Sequence, residues 1–489
     1  MRTMTYVFVI MISFLVFTSC GNSYDELDYC PFAPFFEDRS LLYGETLTFI
    51  MPSLNPRQNQ IVQRNVASFN RRWSRYNVFI DLNVIDDNTP DLSMFQLQVA
   101  TEMMFGTMEA LILLEGGYSH GRRGIDWRNP SISMFFADMW PVLNADPNFH
   151  EDNFFISIFD ALTLNDGSLR VLTESVDVSF VMANRTISGL ENSFHKFEYV
   201  SIEDLHKLHK TYVGCGSLYM FFAYSPARIA SINAHEFLDM NNRTASFNND
   251  RFIDKLIRSL DLTNPRQNEA MFNMFYVFDG IEAMDIAHST HYAFKITRPL
   301  INIHQFFPLE GYESFFTAPL PQVNNRGELM ISPLNPMALT TATTYAQRVI
   351  AWEFIKFVTC SERVIEIPIS YSQSMSIYRP NLHSNIYWAV ARWFPSSIGR
   401  TDVQPGFRNS SARATGFNLN ITQDEAINAL IDFHDNLAQM PMVLNHIMTR
   451  PMFYAIESNV RSLQDGLLLP SQAAANIQNT VMLILLEGN

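Results

Sequence analysis

Gly117, Tyr118, Ser119, His120 and Gly121 form a G-x-S-x-G pattern, the turn on which a hydrolase presents a nucleophilic serine. That chemistry needs a helix directly after the serine, so that the strained turn exposes the hydroxyl and the next backbone amides hold the oxyanion. Arg122, Arg123, Gly124, Ile125 and Asp126 make a poor helix start, which favours a glycine-rich ligand loop where Tyr118, Ser119 and Trp127 meet a small molecule. A secreted serine hydrolase using Ser119 is the competing reading. His206 with His209, and His288 with His291, have the H-x-x-H spacing at which helical neighbours share a metal. Neither pair has a third acidic or cysteine ligand in an obvious motif, so neither a metal nor a cofactor is expected. The chain carries 49 carboxylates, but nothing marks a glycosidase pair among them.

Cys20 suggests chemistry of another kind. Arg2 precedes an apolar run from Tyr6 to Phe17, interrupted only by Ser13, and Thr18 and Ser19 close it before Cys20 and Gly21. The run spans about a dozen residues, where a membrane-crossing helix needs roughly 20. Small residues end it where a signal peptidase cuts. Residues 1–19 are therefore expected to be a signal peptide, and Cys20 the lipidated N-terminus that anchors the chain to a membrane from outside. Phe17 departs from the leucine usual at this place in bacterial lipoprotein signals. The other reading is an ordinary signal peptide that ends near a cysteine.

Bulk composition narrows the field. A length of 489 residues, 47% of them hydrophobic and 13% aromatic, is ample for two or three domains with large cores. A formal net charge of -15 argues against nucleic acid, since no basic field exists to neutralise phosphates. Cys30, Cys215 and Cys360 are too few and too far apart for a disulfide framework or a zinc site, and form at most one bridge. No segment after the signal has the roughly 18 consecutive apolar residues of a spanning helix. The mature body is expected to be aqueous and outside the cytoplasm.

The positioning elements wind strand, helix, strand, helix, strand. Residues 20–43, marked by Pro31 and Pro34 and without a sustained period, read as a tether. Leu47, Phe49 and Met51 alternate as a strand, and Asn55 with Pro56 can open the helix whose stripe is Val62, Val66, Phe69, Trp73 and Tyr76. Val78, Ile80, Leu82 and Val84 alternate as a second strand, a helical stretch covers 91–105, and Ala110 to Leu114 reads as a buried parallel strand. Such a sheet binds ligands beyond its strand C-termini, which singles out Ser53, Asn55 and the loop from Gly116 to Trp127. An extended stretch ending at Asn184 is long enough to cross between lobes and carries Glu174 and Ser175. Ser201 with Asp204 reads as a capping box, and Ala346 to Glu362 as a helix buried on most of its circumference with Glu353 and Lys356 as a narrow polar edge.

Ala351, Trp352, Glu353, Phe354, Ile355, Lys356 and Phe357, followed by Ser361 and Glu362, resemble the most recognisable helix of the extracellular solute-binding proteins of bacterial ABC importers that take sugars and oligosaccharides. Asp138 to Leu143, Gly167 to Leu172 before Asn184, Phe278 to Met284, and Asp465 to Glu487 resemble further blocks of that family, in the same order. The similarity runs from about Thr46 to Glu487. Thr173 departs from the family's frequent proline, and after Met284 the usual glycine and tryptophan are absent, with His288 and Ser289 nearby instead, so an atypical ligand is expected.

The resemblance implies an α/β, two-lobe periplasmic-binding-protein-like fold with a ligand cleft between lobes joined by hinge crossings. Residues 44–175 with 332–378 would form lobe I, and 176–331 with 379–489 lobe II. Candidate crossings are Thr173 to Asp177, Glu328 to Pro333 and Ser370 to Tyr378. The resemblance places His288, His291 and Asn335 near the opening. Sugars present flat apolar faces edged with hydroxyls, so Tyr118 and Trp127 are expected as platforms, with Ser53, Ser119 and Glu174 as hydroxyl partners and Asn55 and Ser175 beside them. The implied partners are a small solute, most plausibly a carbohydrate, a pair of ABC permease subunits and the membrane that holds the lipid, with the protein itself a monomer. A structural or adhesive surface lipoprotein is the third reading.

Overall fold

A computed structural model describes residues 30–53, 56–85, 93–114, 125, 127, 130–164, 166–213, 219–221, 230, 236–239, 242–261, 292–297, 306–307, 314–360, 374–391, 421–444 and 450–487. The elements used below are, in chain order, α1 (Ala33–Glu37), β1 (Thr46–Pro52), α2 (Pro56–Trp73), β2 (Phe79–Ile85), α3 (Ser93–Met104), β3 (Ala110–Leu113), α4 (Trp140–Ala145), α5 (Ile156–Leu162), β4 (Ser175–Val178), β5 (Phe180–Ala183), α6 (Ile202–Tyr212), β6 (Tyr219–Phe221) and α7 (Asp250–Asp261). They continue as β7 (Tyr292–Thr297), β8 (Leu320–Pro321), β9 (Leu329–Leu334), β10 (Met337–Leu339), α8 (Tyr345–Thr359), β11 (Met375–Ser376), α9 (Arg379–Ala391), α10 (Gln423–Ala438), β12 (Met442–Leu444), α11 (Arg450–Gln464) and α12 (Pro470–Glu487).

The expected strand-helix winding forms the first sheet, in the order β10-β3-β1-β2. β1 runs parallel to both β2 and β3, with Phe49 beside Leu82 and Leu111, while β10 closes the edge antiparallel to β3. Helices cover the sheet, so its central strands are apolar on both faces, and every residue of β3 is buried. α2 begins at Pro56, as a proline suited to the first helical turn requires, and lays Val62, Val66, Phe69 and Trp73 onto the core.

The second sheet, β8-β5-β7-β6, is mixed, with β5 antiparallel to β7 and β6 parallel to it. α6 flanks it under the capping box formed by Ser201 and Asp204. The third sheet, β11-β4-β9-β12, takes three of its four strands from the stretches proposed as crossings, and β12 closes it parallel to β9. β4 pairs antiparallel with both β9 and β11, bringing 175–178, 329–334 and 375–376 side by side. A separate helical core joins α7 to the α11–α12 hairpin through Phe252, Ile456, Ile477 and Val481.

The start of the described chain differs from the sequence reading. Of the tether assigned to 20–43, residues 30–43 are described, and they pack on the body: Phe32 and Leu42 are buried, and the Arg39 guanidinium meets Glu353 at 3.0 Å and lies 4.8 Å over the Trp73 ring. A segment without period holds here because a few anchors suffice where a neighbouring helix supplies the surface. α9 and α10 bury Leu382, Ile386, Val390, Leu430 and Leu437 in a core that takes in both the first sheet and the crossing strands, while 450–487 joins the separate helical core. Phe433 of α10 lies 5.5 Å from Phe180 of β5, and α10 leads directly into β12 of the crossing sheet.

α8 is buried around most of its circumference, as its sequence predicts, and Thr344 and Gln347 form a capping box at its start. Its polar edge is paired. Lys356 bonds Glu353 at 2.9 Å and also Asp146, which accepts the Trp352 indole N–H at 2.8 Å. Burial raises the Asp146 pKa, but Lys356, the Asn148 amide and the Trp352 indole outweigh it and hold the carboxyl below its usual range. Cys30 and Cys360 are free thiols, and burial pushes Cys360 up to about 12. Cys215 lies outside the described residues.

Candidate functional site

The carboxyl ends of β1, β2 and β3 lie at one edge of the first sheet, where an open α/β sheet binds ligands. Ser53 follows β1 at this edge; its N–H donates to the Ile85 carbonyl at 2.9 Å, and its Oγ accepts from Asn59 Nδ2 at 3.3 Å. Beside it, the Leu114 N–H at the end of β3 donates to the Pro336 carbonyl at 2.8 Å. The turn between β9 and β10 therefore sits at the same edge, and that turn contains Asn335.

Asn335 has φ 51°, a left-handed conformation that asparagine adopts more readily than other non-glycine residues. This turn aims its side chain at the first crossing, where Nδ2 donates to Glu174 Oε1 at 2.8 Å across 161 residues of sequence. Thr173 Oγ1 lies 2.8 Å from the Ser175 carbonyl and 2.5 Å from the Leu334 carbonyl, and its single proton serves one of them at a time. Ser374 Oγ donates to Ser175 Oγ at 3.0 Å, and the Ile377 N–H donates to the Glu174 carbonyl at 3.2 Å. All three crossings are thus held by one buried polar cluster of Thr173, Glu174, Ser175, Asn335 and Ser374. Buried polar groups persist when partnered, so such a cluster fixes where the crossing strands meet.

Of the residues singled out from sequence, the structure brings Glu174, Ser175 and Asn335 into contact and places Ser53 at the same sheet edge. Trp127 differs from the expected open platform. It is 2% exposed and belongs to the core of the first sheet, because Ile125 donates to the Leu114 carbonyl and turns the chain back onto the apolar layer. Asn55, Tyr118, Ser119, His288, His291 and Cys20 lie outside the described residues. Thr173 and Ser374 were not selected from sequence. The sequence marks Thr173 as a departure from proline at the start of a candidate crossing, and its hydroxyl lies between the carbonyls of two strands. Among the described residues, no three metal-ligating side chains converge.

No family model matches the sequence, and no curated protein matches it either. Solved structures match over nearly the whole length. The sugar-binding protein MalE from Xanthomonas citri is 13% identical with a TM-score of 0.54, covering 91% of this chain and 98% of that one. A periplasmic oligogalacturonide binding protein from Yersinia enterocolitica is 11% identical with a TM-score of 0.52, covering 91% of this chain and 100% of that one. The likeness establishes the fold: α/β, in two lobes with a cleft between them, joined by crossings.

Proposed function

We propose that this chain is an extracytoplasmic solute-binding protein, anchored by lipid at Cys20, that captures a small carbohydrate between its lobes and delivers it to an ABC importer. The carrying observation is the crossing sheet. Three segments far apart in sequence pair side by side, and Thr173, Glu174, Ser175, Asn335 and Ser374 tie them at the ligand-binding edge of the first sheet. The likeness to sugar-binding and oligogalacturonide-binding proteins supports a saccharide ligand. The protein binds and releases without turnover, acts as a monomer, and partners a pair of permease subunits. Among the described residues no helix is long and apolar enough to cross a membrane.

Tyr118, Ser119, His288 and His291 complete the ligand shell in this reading, beside Ser53, Asn55, Glu174, Ser175 and Asn335. A thermal-shift screen against mono- and oligosaccharides tests it, because a ligand that binds only the folded state raises the melting temperature by mass action. Stabilisation without turnover is the expected result. Hydrolysis of generic esters that disappears in Ser119→Ala would overturn it in favour of a hydrolase.

A further inference from the structure

The opposite end of the first sheet, where β1, β2 and β3 begin, exposes large apolar side chains. Tyr43 is 69% exposed, Met104 71%, Phe105 77% and Tyr345 51%, with Phe79 at 40%. Hydrogen bonds place them together. Gln347, in the first turn of α8, donates to the Thr46 carbonyl and to Glu109 Oε2, both at 3.2 Å, joining the start of β1 to the approach to β3. The Gly44 N–H donates to Tyr76, and the Phe79 N–H to Glu45, which joins the starts of β1 and β2. Single exposed apolar residues are ordinary, but five on one end mark a contact surface.

The chain itself indicates what covers this surface. Phe32, near the start of the described residues, packs edge-on against Tyr345 with ring centroids 5.2 Å apart. Cys20 stands twelve residues earlier, a reach of at most about 40 Å for a fully extended chain. The anchored terminus therefore enters the body beside this patch. Arg71, Arg72 and Arg75, in and just after the last turn of α2, are exposed at the same end and suit anionic headgroups. Glu45, Glu102 and Glu109 stand there too, so the apolar and aromatic side chains carry the contact.

We propose that this end of lobe I rests on the outer surface of the lipid bilayer, with Tyr43, Phe79, Met104, Phe105 and Tyr345 in the headgroup layer. The proposal rests on lipidation at Cys20. It orients the body, with the beginnings of β1, β2 and β3 towards the anchoring lipid surface.

Hydrogen exchange on the full lipidated protein tests it, comparing vesicles of phosphatidylethanolamine and phosphatidylglycerol with detergent micelles, while flotation reads attachment separately. The expected result is slower exchange on vesicles in residues 39–45 and 101–109. That protection is lost in the double variant Met104→Ser, Phe105→Ser, which still floats and keeps its melting temperature. Should that variant misfold, Tyr43→Ser serves the same purpose. A floating wild-type protein that exchanges there as it does in micelles refutes the orientation and leaves the anchor standing. Failure of the wild type to float refutes the anchor and the orientation with it. Protection that appears in Cys20→Ala protein in solution, rising with concentration alongside a dimer in sedimentation, assigns the patch to a second copy and also overturns the proposal.

Discussion

The core around the first sheet and the polar cluster of the crossing sheet hold the chain by different means. In the first, Phe354 is fully buried and meets Phe49 and Phe69 edge-on, each with ring centroids 5.4 Å apart, inside a layer with helices against parallel strands. In the second, hydroxyl, amide and carboxyl groups join three strands through a few directional bonds. A packed apolar layer resists continuous deformation, whereas residues at strand ends can absorb changes in φ and ψ, even where Val176, Val178, Leu329 and Ile331 beside them are buried in the same core. In the proposed function the first region supplies stability, and the second is the place where the two lobes change their angle.

Substitutions that affect one region and spare the other would break or sharpen this division. The largest effect is expected in the core. Phe354→Ala removes a fully buried ring and should cost about 3–5 kcal/mol in urea unfolding, leaving the ligand affinity of the folded fraction unchanged. Loss of ligand affinity at unchanged stability would erase the distinction.

The next effect comes from α10, which leads into β12 of the crossing sheet. His434 is buried; burial depresses its pKa to about 4, although the Leu430 carbonyl 2.7 Å from Nδ1 opposes the shift. The folded state therefore favours the neutral ring, while the unfolded chain takes up a proton below about 6.5. Stability should fall as pH drops from 6.5 to 4, by about 3 kcal/mol in all. Denaturant titrations across that window check the slope, and His434→Gln should flatten it.

A smaller effect on stability, with a larger one on binding, is expected at the crossing. Asn335→Gly preserves the left-handed turn and removes the bond to Glu174, which should cost about 1–2 kcal/mol in the same unfolding assay. Calorimetry with a saccharide found in the screen should show affinity weakened about tenfold, equivalent to about 1.4 kcal/mol. An unchanged affinity would remove the cluster from the ligand mechanism.

The two regions also differ in how far the sequence disclosed them. The first sheet was legible because its signals are local: alternation in 46–51, a continuous apolar run at 110–114, and a proline that starts α2. All-round burial of α8 could likewise be read from the width of its apolar set. In the crossing sheet, Ile331 pairs with Val178, and no local periodicity records such a partnership. Glu174, Ser175 and Asn335 were each named from the sequence, but their meeting depends on closing a loop of 161 residues. Trp127 shows the limit for aromatics, since the same ring suits a sugar platform or a core, and only the turn at Ile125 decides for burial. The packing of residues 30–43 was hidden for a related reason, because one ion pair and two buried side chains leave no period to detect.

Small-angle scattering with and without ligand tests the central claim most directly, because a solute that contacts both lobes shifts the population towards the closed form. With a stabilising saccharide at saturation, the radius of gyration should decrease, and in Asn335→Gly the decrease should require more ligand. A saccharide that binds tightly yet leaves the scattering curve unchanged would contradict closure about the crossing sheet.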